Sequence, residues 1–259
     1  IEDRGFQFSD SVYEVIKVLN SKILDLDFHI SRLKYSTKEL NFNYKVNQTF
    51  LTKIFINLVN KNKLKNGIIY LQITRGIQPR EHAYKKYLKP NIIIYTTKKK
   101  FNLPDKNYKG YKAITYPDIR WGRPDIKTTS LLANILAATE ASKQGACETI
   151  LTKGKKVTEA AHSNVWIVKG TKIITHPANK EILKGVTRTV LKNIIRSINL
   201  ELIEKEFSIK ELLKSEEVFI TSSGSLVTPI THVDKIKINN GKIGAITKSL
   251  ALNLYKAII

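Results

Sequence analysis

The chain has 259 residues, of which 42% are hydrophobic, so it can bury a core as one large domain or two modest ones. No uninterrupted apolar run approaches the roughly 18 to 20 residues that a membrane span needs, which argues against a membrane protein. The formal net charge of +22 would suit a nucleic-acid-binding protein, but the lysines are scattered and no aromatic residues interleave with them. We therefore interpret the charge as solvated surface and keep a basic nucleic-acid-binding protein as a remote alternative.

The single cysteine, Cys147, cannot form an internal disulfide, which fits a reducing cytoplasm. It stands in an apolar run at residues 146–151, which predicts a buried thiol. The chain begins with Ile1 and contains no methionine, so we expect that the true N-terminus is missing.

The first hundred residues mix short strands with helices, as judged from hydrophobic periodicity. The polar segment at residues 75–90 is long for a loop, which favours a functional or disordered segment. A basic stretch around residues 98–104 predicts a linker, and hence domains over residues 1–100 and 101–259. The predicted elements are strands over 12–18 and 22–26, helices over 29–41 and 47–60, and strands over 68–74 and 91–97.

The second part interleaves strands and helices without a simple repeat, which predicts an α/β (mixed α+β) fold. The predicted strands cover residues 112–116, 148–152, 164–168, 172–175, 201–205, 217–221 and 225–228, and the predicted helices cover 131–144, 187–197 and 245–255.

Two segments contain the most informative residues. Residues 125–134 read Asp-Ile-Lys-Thr-Thr-Ser-Leu-Leu-Ala-Asn and place Lys127 before a predicted helix. Residues 157–166 read Val-Thr-Glu-Ala-Ala-His-Ser-Asn-Val-Trp and place Glu159 at a strand end. A lysine that binds a cofactor covalently and a carboxylate that pairs with a ring nitrogen both need rigid placement.

With residues 3–8, 12–15, 28–33, 74–82, 175–177 and 182–188, these segments resemble the fold-type IV pyridoxal-phosphate aminotransferases, and more closely the D-amino acid (D-alanine) aminotransferases. The resemblance covers nearly the whole chain in order. It implies a small N-terminal α/β domain followed by a larger C-terminal pseudo-barrel domain, with a short N-terminal hairpin missing. It also implies pyridoxal 5′-phosphate as the cofactor and no metal.

The resemblance implies a role for each candidate residue of the cofactor site. Lys127 would form a Schiff base with the cofactor and then, as a neutral amine, move a proton to or from the substrate α-carbon. Glu159 would pair with the pyridine nitrogen, although an exposed strand-end carboxylate is the alternative. Five residues would bind the phosphate and one would contact a ring face, although by composition alone Arg32 fits a surface residue and Leu183 a core residue. The phosphate candidates are Arg32, Val186, Thr187, Ser222 and Ser223, and the ring contact is Leu183.

Substrate class depends on Tyr13, Arg80 and His82. From the residues alone, Tyr13 also fits strand packing, and Arg80 and His82 also fit solvated loop residues. In D-amino acid aminotransferases, a matching Arg-x-His pair comes from the neighbouring subunit and binds the substrate carboxylate together with the tyrosine. The resemblance therefore implies a cytoplasmic homodimer with shared active sites that transfers an amino group between D-alanine and a 2-oxo acid such as 2-oxoglutarate. The enzyme alternatives are a branched-chain L-amino acid aminotransferase and an aminodeoxychorismate lyase.

The chain departs from the family pattern near the expected pocket. Ser9 and Ser11 stand where the family commonly has glycine, and a serine adopts some glycine conformations only at a cost in free energy. His162 stands among the small residues expected after Glu159.

Overall fold

A computed structural model describes residues 1–101, 103–105 and 108–259. The chain divides into two compact units: Ile1–Phe101 with Ile126–Ser130, and Asn102–Asp125 with Leu131–Ile259. The segment that carries Lys127 is thus part of the first unit. The predicted division at residues 100 and 101 stays a prediction about folding domains, and the predicted linker includes residue 102, which lies outside the described residues.

The first unit is built on a four-stranded antiparallel sheet with the strand order β2-β1-β3-β4. Apolar residues alternate along β1 and β3, and those on one face, such as Val12, Ile16, Ile69 and Leu71, are fully buried. They pack with residues of α2 and α3 into one core. The elements are α1 (Arg4–Phe8), β1 (Ser11–Leu19), β2 (Lys22–Ile23), α2 (Leu26–Glu39), α3 (Gln48–Lys61), β3 (Gly67–Thr74) and β4 (Asn91–Lys98).

The second unit is built on a ten-stranded mixed sheet. Its strand order is β10-β9-β8-β12-β13-β5-β6-β7-β11, and β14 pairs with β13. The elements are β5 (Tyr111–Pro117), α4 (Leu132–Lys143), β6 (Glu148–Lys153), β7 (Lys156–Ala160), β8 (Asn164–Lys169), β9 (Lys172–Thr175), α5 (Val186–Ser197), β10 (Glu201–Glu204), β11 (Phe207–Ser208), α6 (Ile209–Leu213), β12 (Glu217–Ser222), β13 (Leu226–Val233), β14 (Ile236–Lys237), a 3₁₀ turn (Asn239–Gly241) and α7 (Ala245–Ile258).

Buried apolar clusters hold this sheet and its helices together. One cluster includes Ile167, Phe207 and Ile220, and another joins Trp166 and Phe219 to α5 and α7. The rings of Trp166 and Phe219 stack with their centroids 5.6 Å apart. This buried apolar packing supports strands β7 and β8, which flank the turn at residues 161–163.

Most predicted elements are present, with ends that differ by a few residues. The second strand was predicted to reach residue 26, but Asp25 adopts a left-handed conformation (φ 55°) and α2 begins at Leu26. The short elements α1, β11, α6 and β14 were not predicted, because they have too few residues to show a period. No range was predicted for β7 either, although Glu159 was expected at a strand end.

The prediction that Cys147 is buried is wrong, because the residue is exposed. Cys147 comes immediately before β6, in which Glu148, Thr149, Ile150 and Leu151 are the buried residues. An apolar run therefore did not distinguish the strand from the residue that precedes it.

Within the described residues, none of the helices combines the length and the apolar character that crossing a bilayer requires.

Candidate active site

The backbone of Lys127 is fixed on two sides within the first unit. The amide of Tyr13 donates to the Lys127 carbonyl at 3.0 Å, and the Lys127 amide donates to Ser36 Oγ at 3.2 Å. The next residues continue this pairing, since the amide of Thr129 donates to the Ser11 carbonyl at 3.1 Å. These hydrogen bonds attach the Lys127 segment to the start of β1 and fix the position of the Lys127 backbone.

The side-chain nitrogen of Lys127, Nζ, lies 4.1 Å from the centre of the Tyr13 ring. Tyr13 stacks on Tyr70, with ring centres 5.7 Å apart, and Tyr70 stacks on Tyr95 at 5.0 Å. Burial raises the pKa of Tyr70 to about 12, so its hydroxyl stays protonated and donates to Gln72 at 2.7 Å. The structure therefore brings two predicted site residues, Lys127 and Tyr13, into direct contact. Tyr13 is held in turn by stacking on Tyr70, which stacks on Tyr95.

Arg32 lies on α2 and is held by a buried carboxylate. Its Nε and Nη2 donate to the two oxygens of Glu14 at 2.8 and 2.7 Å, and His29 Nδ1 lies 2.7 Å from the same carboxylate. Burial acts to raise the pKa of Glu14, but the Arg32 charge and the hydrogen bonds from Arg32 and His29 bring it to about 2. Burial lowers the pKa of His29, so a neutral imidazole with its proton on Nδ1 donates to Glu14. Glu14 thus fixes the guanidinium that is expected to bind phosphate.

Arg80 and His82 are exposed and lie in the loop between β3 and β4. The Arg80 guanidinium lies 4.6 Å from the centre of the Phe8 ring, and the His82 and Phe8 ring centres are 5.5 Å apart. Tyr13 instead contacts Tyr70 and Lys127. In a single chain, the three predicted substrate-binding residues therefore fall into two groups.

Glu159 lies on β7 in the second unit and is only 4% exposed, so the alternative of an exposed carboxylate is wrong. It accepts hydrogen bonds from the Arg120 guanidinium, from Asn164 Nδ2 at 3.0 Å and from the Leu183 amide at 3.0 Å. Burial raises the pKa of Glu159 to about 7, against the lowering effect of Arg120. Near neutral pH this carboxyl can therefore change its protonation state.

Arg120 is shared between Glu159 and a second carboxylate. Its Nε and Nη2 donate to Asp118 at 2.9 and 2.7 Å, and Thr158 Oγ1 donates to Asp118 at 2.7 Å. Sequence reasoning missed both Asp118 and Arg120, and it missed Glu14 as well. The available signal was weak: an Asp-x-Arg directly after a strand, and a charged residue within the apolar alternation of β1.

Leu183, which lies just before α5, is hydrogen-bonded to both Glu159 and Asn164. The Leu183 carbonyl accepts from Asn164 Nδ2 at 2.9 Å, and Gly185 precedes α5 as its N-cap. A Cβ at Gly185 would lie 2.1 Å from Asn164 Oδ1, so only glycine fits there. Val186 and Thr187 are the first helical residues, and amides in this position have no partner within the helix. Such amides form an anion site.

Ser222 and Ser223 lie at the end of β12 and in the turn that follows. The Ser222 hydroxyl is 2.8 Å from the Ser225 hydroxyl and accepts from the Ser225 amide at 3.2 Å. The phosphate contact expected of these serines stays a prediction.

His162 lies in the turn between β7 and β8, and its side chain is 61% exposed. Its Nδ1 is 3.3 Å from the buried carboxylate of Glu148, which also accepts from the Ser163 hydroxyl at 3.0 Å. Glu148 therefore anchors this turn, and the departure at His162 places an imidazole on its surface.

One group of side chains has the composition of a metal site. The ligand atoms of His176, Glu181 and Glu206 lie within 4.8 Å of one another. However, Lys153 pairs with Glu181 at 3.1 Å and Lys156 pairs with Glu206. Because lysine charges already balance both carboxylates, we assign no metal to this group.

A family model for class IV aminotransferases matches residues 11–233 of the chain. The D-alanine aminotransferase of Listeria monocytogenes (strain 10403S) is 38% identical over 252 residues, which cover 96% of this chain and 87% of the relative. The D-alanine aminotransferase of Bacillus licheniformis is 39% identical over 260 residues, which cover 100% of this chain and 91% of the relative.

Solved structures show the same fold. The branched-chain amino acid aminotransferase of Escherichia coli superimposes with a TM-score of 0.91 at 22% identity, covering 100% of this chain and 88% of that one. The branched-chain aminotransferase of Thermoproteus uzoniensis gives a TM-score of 0.87 at 23% identity, covering 98% and 87%. The predicted mixed α/β fold of a class IV aminotransferase is confirmed.

Class IV aminotransferases depend on pyridoxal 5′-phosphate, and one similar solved structure is a complex with pyridoxamine 5′-phosphate. The residues of this chain fit that group. A buried carboxylate at Glu159 suits a cationic ring nitrogen, and the amides of Val186 and Thr187 beside Gly185 suit a phosphate. Lys127 carries a primary amine of the kind that the cofactor binds, and its assignment as the cofactor lysine stays a prediction.

Proposed function

Since this chain belongs to the class IV aminotransferases, we propose that it transfers the amino group of a D-amino acid, with D-alanine as the expected substrate, to a 2-oxo acid such as 2-oxoglutarate. The reaction is ping-pong, since bound pyridoxal 5′-phosphate would supply the group that takes up the amino group between the two half-reactions.

One observation carries the choice of D-amino acids. The relatives that are 38% to 39% identical over nearly the whole chain are D-alanine aminotransferases from several bacteria. The branched-chain aminotransferases are only 21% to 23% identical, and their likeness supports the fold alone. The exposed pair Arg80 and His82 agrees with this choice, because it offers two cationic or hydrogen-bonding groups to a carboxylate.

The resemblance implies the catalytic roles, and the contacts of several side chains support them. Lys127 holds the cofactor and then moves a proton at the substrate α-carbon. Glu159 pairs with the ring nitrogen, whose positive charge makes the bound cofactor an electron sink. Arg32, oriented by Glu14, and the start of α5 bind the phosphate together with Ser222 and Ser223, and Leu183 contacts the ring. Tyr13, Arg80 and His82 bind the substrate carboxylate.

We also propose a homodimer in which Arg80 and His82 serve the partner's site. The two exposed side chains support this proposal, as does an apolar stripe on α4. Leu132, Ile135 and Leu136 lie on one helical face and are 71%, 57% and 47% exposed. An exposed apolar stripe of this kind typically marks an interface. A cytoplasmic location fits the single free cysteine.

The test is the visible absorption spectrum of the purified protein before and after each of three substrates. D-alanine is expected to convert the absorption of the lysine-bound cofactor to that of its amino form, whereas L-leucine and aminodeoxychorismate leave the spectrum nearly unchanged. Conversion by L-leucine but not D-alanine would contradict the proposal. Borohydride reduction followed by peptide mapping is expected to place the label on Lys127.

A further inference from the structure

The side chain of Arg4, in the short helix α1, is held inside the first unit. It is 4% exposed, and its Nε donates to Asp10 Oδ2 at 2.8 Å. Its Nη1 donates to the Glu81 carbonyl at 2.7 Å, and its Nη2 donates to the His82 carbonyl at 3.0 Å. One guanidinium fork therefore fixes two consecutive peptide groups in the loop that carries Arg80 and His82.

Phe8, at the other end of α1, contacts the side chains of the same loop. The centre of its ring lies 4.6 Å from the Arg80 guanidinium, 5.5 Å from the His82 ring centre and 4.8 Å from the Arg4 guanidinium. Helix α1 thus contacts the side chains of Arg80 and His82 through Phe8, and the carbonyls of Glu81 and His82 through Arg4.

We infer that Arg4 and Phe8 are positioning residues, which hold Arg80 and His82 in the arrangement that binds the substrate carboxylate. The inference rests on the proposed function, because it assumes that Arg80 and His82 meet that carboxylate.

The physical reason is that exposed side chains on a long loop have many conformations. The loop spans residues 75–90, so binding a carboxylate would require ordering both its backbone and two side chains. The contacts with Arg4 and Phe8 provide this order before the substrate arrives. Gln78 connects two parts of the loop, since its side chain donates to the Ala83 carbonyl at 2.8 Å and accepts from the Lys85 amide at 3.0 Å.

Arg75 provides a matched control. It binds the same carboxylate, Asp10, at 2.8 Å, but its other nitrogens donate to the carbonyls of Leu40 and Asn41. Arg4→Lys and Arg75→Lys each keep the charge and lose the planar fork. Only Arg4→Lys loses contacts with the backbone of Glu81 and His82.

The experiment compares steady-state kinetics of the holoenzyme variants. Arg4→Lys is expected to raise the KM for D-alanine and the KM for the 2-oxo acid by the same factor, about tenfold, because both substrates carry the carboxylate. Its kcat is expected to stay within about threefold of the wild type, since the groups that move the proton are unchanged. Phe8→Leu, which keeps every hydrogen bond of Arg4, is expected to act in the same direction. The Arg75 guanidinium stacks on the Tyr84 ring of the loop at 3.8 Å but contacts neither Glu81 nor His82, so Arg75→Lys is expected to raise both KM values much less than Arg4→Lys.

A double variant tests whether Arg4 acts through Arg80. Adding Arg4→Lys to Arg80→Ala is expected to raise KM little further, because the group that Arg4 positions is already gone. In an assay independent of turnover, trypsin is expected to cleave after Arg80 faster in Arg4→Lys than in Arg75→Lys.

Two results would overturn the inference while the proposed function stands: equal KM values for Arg4→Lys and Arg75→Lys, or fully additive effects of Arg4→Lys and Arg80→Ala. A wild-type enzyme that does not transaminate D-alanine would overturn the proposed function, and the inference with it.

Discussion

Ser9 is the position where a departure from the family pattern has a measurable cost. It ends α1 with φ 54° and ψ 26°, a left-handed conformation that glycine adopts freely. Left-handed backbone costs an L-residue about 1 to 2 kcal/mol, while glycine adds about 0.5 to 1 kcal/mol of unfolded-state entropy. We therefore expect Ser9→Gly to increase the free energy of unfolding by about 0.5 to 1 kcal/mol.

The backbone contacts of Ser9 make glycine a suitable replacement. Its amide donates to the Arg4 carbonyl, and its carbonyl accepts from the Ser11 amide at 2.8 Å and from Thr129 Oγ1 at 3.1 Å. All of these contacts involve main-chain atoms of Ser9 and survive the change. The gain corresponds to a rise in Tm of about 1 to 4 °C for a protein of this size, measured by thermal unfolding of the holoenzyme at one fixed cofactor concentration.

Ser11 is the matched control, because it is the other serine at an expected glycine position. It is fully buried in β1, its hydroxyl contacts Thr129 Oγ1, and it accepts from Gln72 Nε2 at 3.1 Å. Ser11→Gly is expected to destabilise by about 1 to 3 kcal/mol, since the partly buried side chains of Thr129 and Gln72 each lose a hydrogen-bond partner and glycine is unfavourable within a strand. Equal destabilisation by Ser9→Gly and Ser11→Gly would refute the assignment of backbone strain to Ser9.

Three further predictions follow from the site. Glu14→Gln is expected to lower the free energy of unfolding by about 3 kcal/mol at pH 7, because the pKa of Glu14 is about 2 in the fold against an ordinary 4.5. The difference in unfolding free energy between wild type and variant should vanish as the pH falls from 4.5 towards 2. A pH-independent difference in urea titrations would contradict this prediction. Glu159→Gln is expected to retain cofactor, measured by absorbance after gel filtration, and to lower kcat by about 100-fold or more, whereas near-normal turnover would exclude the electron-sink role. Mixed dimers of Lys127→Ala and Arg80→Ala are expected to recover about a quarter of wild-type sites, because one site of each heterodimer receives both intact residues; no recovery after verified mixing would exclude shared sites.

Local pattern was sufficient for most of the secondary structure. Helices such as α3 and strands such as β3 and β4 have enough residues to show their period, and their ends differ from the prediction by only one residue. Helix α1 has five residues and no such period, so the element that fixes the Arg80 loop was not predicted. The exposed Cys147 shows the same limit, since an apolar run does not reveal which residue begins the strand.

The candidate site depended on resemblance and on long-range contacts to different degrees. Lys127 and Glu159 were identified from motifs that match a family. The residues that contact the site come from distant parts of the sequence: Arg120 is 39 residues from Glu159, and Arg4, which holds the loop that carries Arg80 and His82, is 77 residues from Glu81. No local period relates such pairs, because only the folded sheet brings them together.

The arginine shared by Asp118 and Glu159 has a consequence for protons when the cofactor binds. Asp118, Arg120 and Glu159 together carry two carboxyl groups and one guanidinium, with side chains only 5% to 9% exposed. With Glu159 ionised, this group holds one uncompensated negative charge, and burial makes that charge costly. Because the pKa of Glu159 is about 7, a proton neutralises this charge in part of the molecules at neutral pH when no cofactor is bound. A cationic ring nitrogen opposite Glu159 would displace that proton, so cofactor uptake near neutral pH should release protons into the medium.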